Sequence, residues 1–196
     1  MNPTRCDWSL ASDRYIDYHD KEWGVPVKDD RVLFEFILLE GAQAGLSWQT
    51  ILDRRPGYRE VFHDFEVEKV AAMSSDEIAT ALQNPGIIRN RQKVHSAVNN
   101  ARAFIAVAEE YGSFAQYIWQ FTDGKPIQNE YHQMADIPAV TPLAETISKD
   151  MKKWGFSFFG PTICYAHMQA TGMVNDHIVS CFRYEQIRAL GETFSL

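Results

Sequence analysis

The sequence predicts an all-α fold. Apolar residues recur at helical spacing in segment after segment, the two-residue alternation of half-buried strands is nearly absent, and cap residues stand where the periodic runs begin and end. The best-marked stretch lies near the C-terminus. There Thr141 can cap a helix, Pro142 suits its first turn, and Leu143, Ile147, Met151 and Trp154 fall on one face. Gly155 ends that helix, because glycine enters the left-handed region without a Cβ clash. After a hairpin over residues 156–160, Gly160-Pro161 restarts a helix, and a short turn leads from it into a third.

The remaining elements follow in order. Residues 1–30 are read as irregular, rich in Cys6, Trp8, Tyr15, Tyr18, His19 and Trp23 and broken by Gly24 and Pro26. Such a segment lacks a core of its own and is expected to lie against the main helices. A helix over residues 30–43 has an acidic start that suits its dipole. Ser47 caps the next, which is expected to stop before Pro56. Short helical pieces over 58–62 and 66–73 follow, and Ser74-Ser75-Asp76-Glu77 carries the capping-box spacing for a helix to about residue 83. Asn84-Pro85-Gly86 reads as a turn. A long helix over 89–111 places Val94, Val98, Ala101, Ile105 and Ala108 on one face. Residues 114–121 read as helical and 123–138 as a loop.

With 196 residues, the chain fits one domain over 1–196 and can bury a proper core. No apolar run is long enough to span a bilayer, so no membrane partner is expected. The N-terminus lacks a charged-then-apolar leader pattern, which predicts a cytoplasmic protein. Three cysteines without framework spacing point to reduced thiols or metal ligands. The net charge of −7 disfavours a general nucleic-acid binder. Basic residues are nevertheless clustered, at Arg89, Arg91, Lys93 and Arg102 and again at Lys149, Lys152 and Lys153. A solvated helix face is the commoner meaning of either cluster.

Glu40 is the most informative single residue. Val32, Leu33, Phe36 and Ile37 set an apolar face, and helical geometry places Glu40 on it, between Phe36 and Ile37. A carboxylate aimed inward is either a site residue or a structural group tied to a buried arginine or to backbone amides. Tyr15, Tyr18, Trp23 and Trp48 stand in the same first 48 residues. Singly, each reads as a core aromatic; their clustering with an inward-facing acid shifts the weighing toward a site. His177 and Cys181 are four apart and share a face if that stretch is helical. The remaining histidines, His63, His95, His132 and His167, lack convincing partners and read as surface or packing residues, as Cys164 reads as packing.

Six ordered blocks carry a wider likeness: Cys6 with Trp8, then YHDKEWGVP, LEGAQAGLSW, NPGIIRNRQK, FFGPTICYAHMQATG and VNDHIVSC. Together, from about residue 5 to residue 181, they resemble the 3-methyladenine DNA glycosylase I family. The resemblance implies a helix-hairpin-helix DNA glycosylase fold, with that motif at about 142–171. It also implies excision of 3-methyladenine from alkylated double-stranded DNA, with the free base as product and no obligate protein partner. Glu40 and Tyr18 would hydrogen-bond the flipped base while Trp48 stacks on it, with Trp23 and Tyr15 completing the pocket, and Gly45-Leu46 would wedge into the gap it leaves. Without the likeness, Gly45-Leu46 reads as a helix–helix turn whose leucine packs inward. The family's structural zinc would fall to Cys6, His19, His177 and Cys181, tethering residues 1–30 to the C-terminal region.

Two further features bear on mechanism. Many helix-hairpin-helix glycosylases carry an aspartate after the second helix, where this chain has Asn175; the neighbouring Asp176 is read as a helix N-terminal residue. The FFGPTIC hairpin also lacks the lysine that lyase chemistry requires, so a monofunctional enzyme is expected. The rival readings are a non-catalytic, zinc-stapled DNA- or modified-base-binding protein, and a metallohydrolase. Four protein ligands leave the latter no open coordination position.

Overall fold

A computed structural model describes residues 3–196, whose regular structure is ten α-helices and one short parallel strand pair. The N-terminal segment departs from its expected irregularity: a 3₁₀ turn at Asp7–Ala11 precedes α1 (Asp13–Lys21). The Ser12 side chain accepts from the Tyr15 amide to cap this helix. Its inward side carries Tyr18 and His19 rather than aliphatic residues, so the apolar period used to find helices is missing. Gly24, with φ +83°, ends the segment instead of breaking it.

Helix α2 (Asp30–Gln43) matches its predicted span and is the central element. Every residue from Leu33 to Ala42 is buried, so the single predicted apolar face understates it. A helix buried all round belongs to the middle of a core. Asp29 caps its start, and the side chain of Asp30 accepts from the amides of Phe114 and Ala115.

Helix α3 (Trp48–Val61) continues through Pro56 where a stop was expected. Proline leaves the carbonyl four residues earlier without its intrahelical donor. Arg14 Nη1 supplies one, donating to the Leu52 carbonyl at 3.1 Å. A side chain 38 positions away thus keeps the helix whole and absorbs the piece expected separately at 58–62. Next come α4 (Val67–Ala71) and α5 (Ser75–Ala81), the latter with its complete Ser74/Glu77 capping box. The long helix α6 (Arg91–Tyr111) ends at Gly112 (φ +88°), and α7 (Phe114–Trp119) follows. Helices α3, α6 and α7 all pack on α2, with Phe34 edge-on to Phe104 and Phe104 stacked on Phe114 at 4.1 Å.

The predicted loop at 123–138 contains strand β1 (Ile127–Gln128), paired in parallel with β2 (Val174–Asn175). Two residues are too few to show a period. Between them in sequence, α8 (Pro142–Lys153) begins at the Thr141 cap and buries Ile147 and Met151. Gly155 ends it at φ +95°, and α9 (Pro161–Ala170) follows the hairpin. Asn100 of α6 clamps this hairpin: its Nδ2 donates to the Ser157 carbonyl and its Oδ1 accepts from the Ser157 amide, both at 2.9 Å. Helix α10 (Phe182–Thr193) completes the fold.

Two expectations about the stretch after α9 are corrected. Residues 177–181 form turns, not a helix, so His177 and Cys181 do not meet through helical spacing. Asp176 caps no helix; it is buried and accepts from Tyr165 Oη, Gln169 Nε2 and Asn129 Nδ2. Asn175 braces the same region, donating to the Tyr184 carbonyl and to Gln128.

Gly57 lies within α3 against the 84–86 turn, where an added Cβ would meet the Gly86 carbonyl oxygen at 2.3 Å. Helix propensity alone favours Gly57→Ala by ~1 kcal/mol. The backbone clash outweighs this, and a net loss of about 1–2 kcal/mol in urea unfolding is expected. A net gain would mean that the turn moves freely away from α3.

Candidate functional site

A cavity of about 290 Å³ opens between α1, α2, α9 and the start of α3. Its walls include all five residues expected to handle a base: Tyr15, Tyr18, Trp23, Glu40 and Trp48. Trp48 lies near-parallel to Phe36 (18° between planes) and 5.6 Å from Tyr18. Trp8 meets Trp23 edge-on at 5.1 Å and Tyr15 at 5.5 Å, which continues the aromatic lining. Tyr15 contributes chiefly its ring, since its hydroxyl accepts from the Gln49 amide. The cavity offers several π-faces together with one carboxyl group, a combination suited to a flat, electron-poor ring.

Glu40 is placed here by α2, whose packed flanks leave its side chain only the cavity to face. It is 3% exposed and makes no hydrogen bond to any described residue, and its Oε2 is sealed off altogether. Burial pushes its carboxyl up to about 8, from an ordinary 4.5. The alternative of a structural carboxylate tied to arginine is realised by a neighbour instead. Glu35 accepts from Arg55 at 2.7 Å and from Arg59 at 3.0 Å. Trp48 Nε1 is likewise buried without a partner. A donor and an acid, both unsatisfied, therefore flank one aromatic cavity.

Beside the cavity, Cys6, His19, His177 and Cys181 bring their ligand atoms within 4.8 Å of one another, and all four side chains are buried. Cys6 Sγ lies 3.7 Å from His177 Nδ1, and Cys181 Sγ lies 3.6 Å from His177 Nδ1 and 3.5 Å from His19 Nε2. A tetrahedron with metal–sulfur bonds of ~2.3 Å and metal–nitrogen bonds of ~2.0–2.1 Å has sulfur–nitrogen edges of about 3.5–3.6 Å. The residues therefore fit a tetrahedral cation with two thiolates and two imidazoles. Each imidazole has its second nitrogen engaged, His177 Nε2 with the Trp23 carbonyl at 3.1 Å and His19 Nδ1 with Asp20 at 2.8 Å. Arg5 in turn holds Asp20. Such outer contacts fix ring orientation and leave Nδ1 of His177 and Nε2 of His19 free for a metal. Trp23 packs edge-on to His177 at 4.6 Å, so the cluster and the cavity share a wall.

The turn between α2 and α3 carries Gly45 at φ +78° and Leu46 at 40% exposure. The leucine does not pack inward. Lys93, grouped by sequence with a basic patch, instead caps α2: its Nζ donates to the carbonyls of Ala42 (2.8 Å) and Ala44 (2.6 Å). Arg102 similarly donates to the Ala71 carbonyl. Two members of that patch are thus partly committed to the fold. His95 and His132 are exposed, His63 half-buried and His167 fully buried, in keeping with surface and packing roles.

Sequence reasoning missed several lining residues. Met134 and Ile137 come from the segment read as a loop with few large apolar residues, and Gln43, Ala166 and Gln169 complete the wall. Gln43 and Gln169 lie three or four residues from Glu40 and from the buried Tyr165 on their helices, a spacing that could have marked them. Among the described residues no helix is long and apolar enough to cross a membrane.

Comparison with known proteins places the arrangement. A family model described as methyladenine glycosylase matches residues 8–184. The DNA-3-methyladenine glycosylase of Haemophilus influenzae is 47% identical over 178 residues, covering 91% of this chain and 96% of that protein. A crystal structure of a 3-methyladenine DNA glycosylase I superposes with a TM-score of 0.88 at 49% identity, covering 91% of this chain and 98% of that one. A Staphylococcus aureus 3-methyladenine DNA glycosylase I, solved to explain 3-methyladenine recognition, also gives 0.88, at 36% identity over 91% and 95% of the two chains. The fold likeness and the extent of these matches agree: the chain belongs to the methyladenine glycosylase family.

Proposed function

We propose that the chain acts as one DNA glycosylase domain that releases 3-methyladenine from alkylated double-stranded DNA without lyase activity. The observation that carries this reading is the unpaired Glu40 carboxyl in the wall of an aromatic cavity. An adenine nucleotide methylated at N3 is a cation, and it would supply the charge that Glu40 lacks. Aromatic faces at Trp48, Tyr18, Trp23 and Tyr15 would stack on or enclose the extruded base, with Tyr18 and Glu40 addressing its edge. A neutral, unmodified adenine gains less from such a cage.

The reaction asks little else of the protein. The bond between C1′ and N9 breaks and its electron pair passes to the base, which leaves neutral without needing a proton. Water adds to C1′ and releases a proton, giving an abasic sugar. Asn175 stands where related enzymes place an acid, in keeping with a departing group that is already activated. No lysine occurs in the hairpin, so no amine is positioned for a Schiff base. Exposed Leu46, raised on Gly45, is suited to fill the space a flipped nucleotide vacates. We assign zinc to Cys6, His19, His177 and Cys181 as a structural ion, which when bound supplies four bonds joining the N-terminal segment to the C-terminal turns. Double-stranded DNA and the free base are then the partners, with a cytoplasmic location and no obligate protein partner.

Base release from methylated duplex DNA tests the pocket. Glu40→Gln should lower kcat/KM for 3-methyladenine roughly 10- to 100-fold, the scale of one hydrogen bond to a charged group, and Trp48→Ala should also weaken release. Cation binding needs the ionised carboxylate, so wild-type kcat/KM should rise with pH and level off above about 8. The Glu40→Gln profile should lack that rise. Unaltered release by both folded variants would remove the site assignment, and no release by wild-type protein would favour a binding-only role.

Metal analysis should find about one zinc per chain. Stripping it with a chelator, or replacing Cys181 by Ala, should lower Tm by ~10 °C or more, since structural zinc contributes directly to folding. Full thermal stability with no metal bound would contradict the assignment.

A further inference from the structure

Gln169 stands out among the cavity residues because its side-chain amide is fixed. Its Nε2 donates to Asp176 Oδ2 at 2.8 Å. An aspartate carboxylate accepts only, so the nitrogen of Gln169 must face Asp176 and the oxygen must be the opposite end. Asp176 is itself tied down: it is 1% exposed and also accepts from Tyr165 Oη at 2.6 Å and Asn129 Nδ2 at 2.7 Å. Gln169 Oε1 has no hydrogen-bond partner among the described residues, and Gln169 lines the cavity. Gln43, the other amide in the wall, has no comparable lock and can turn either end inward.

With Nε2 turned to Asp176, Oε1 is the end of Gln169 left without a partner, in the same wall as the Glu40 carboxyl, which accepts once ionised. An adenine nucleotide methylated at N3 has one donor group on its ring, the exocyclic amine at C6, with two hydrogens. Resting on the function proposed above, we infer that Gln169 Oε1 accepts from this 6-amino group and is a specificity-determining residue, with Asp176 as the positioning residue that fixes its polarity. A guanine methylated at N3 presents a carbonyl oxygen at C6, and two acceptors would then face one another. The fixed amide selects adenine over guanine by leaving that pair unsatisfied.

Gln169→Met tests this, as methionine keeps the length and removes the acceptor. Release of 3-methyladenine and 3-methylguanine is measured on one methylated duplex, with Tm and bound metal confirming the fold. The variant should lose about 10-fold in 3-methyladenine release while 3-methylguanine release stays within about twofold, which compresses the preference. Asp176→Asn, which frees the amide to turn over, should shift the preference the same way by less. If Gln169→Met releases 3-methyladenine within twofold of the unaltered protein, or lowers both bases in proportion, the inference fails while the proposed function stands. If the unaltered protein releases neither base, both fail.

Discussion

The structure is built around a carboxyl group that no described residue satisfies. Helix α2 is buried along ten consecutive residues, and Glu40 sits within that run. An ionised carboxylate there is strongly disfavoured, and the group responds by holding its proton up to about pH 8. Between the ordinary carboxyl value and that one, the folded chain binds a proton that the unfolded chain has released. Stability is therefore lost as pH rises through this window. A purely structural residue would not need to be an acid here, since leucine would pack without that penalty. Glu35, one turn and a residue earlier on the same helix, shows the contrast, because two arginines satisfy it.

Much of the remaining fold serves to bury that helix and to line the cavity beside it with aromatic rings. Helices α3, α6, α7 and α9 surround α2 and make its burial possible. Lys93 secures the helix end nearest Glu40, and the turn that follows lifts Leu46 into solvent. The outer wall comes from the N-terminal segment, which has too few aliphatic residues to hold itself in place. The zinc proposed for the Cys/His cluster would provide the anchor, and because Trp23 touches both His177 and Trp8, fixing the cluster would also fix the wall. Asp176 plays a parallel role on the far side, gripping Gln169, Tyr165 and Asn129 from three different segments.

How much of this was readable beforehand depended on the range of the interaction responsible. Helix α2, the α5 capping box and the Thr141–Pro142 start are written in neighbouring residues and appear where expected. Glu40 was legible as inward-facing from helical geometry alone. The passage of α3 through Pro56 was not, because it depends on Arg14 from another helix. Helix α1 was hidden because its buried side carries Tyr18 and His19, which a hydrophobic period overlooks. Met134 and Ile137 reach the cavity through a two-residue strand pairing that has no local signature. His177 and Cys181 meet by a turn and not by the helical spacing that first suggested them. The cluster was identified through family resemblance, and its geometry emerged only in the fold.

The most direct test is the pKa of Glu40 itself, followed by carbon-13 NMR of the labelled side-chain carboxyl. In the free protein it should titrate near 8, and with a cationic N-methylated purine bound it should fall well below neutrality as the carboxylate gains its counter-charge. A free-protein value near 4.5, unmoved by the cation, would mean that Glu40 is already satisfied, and the account would lose its organising constraint.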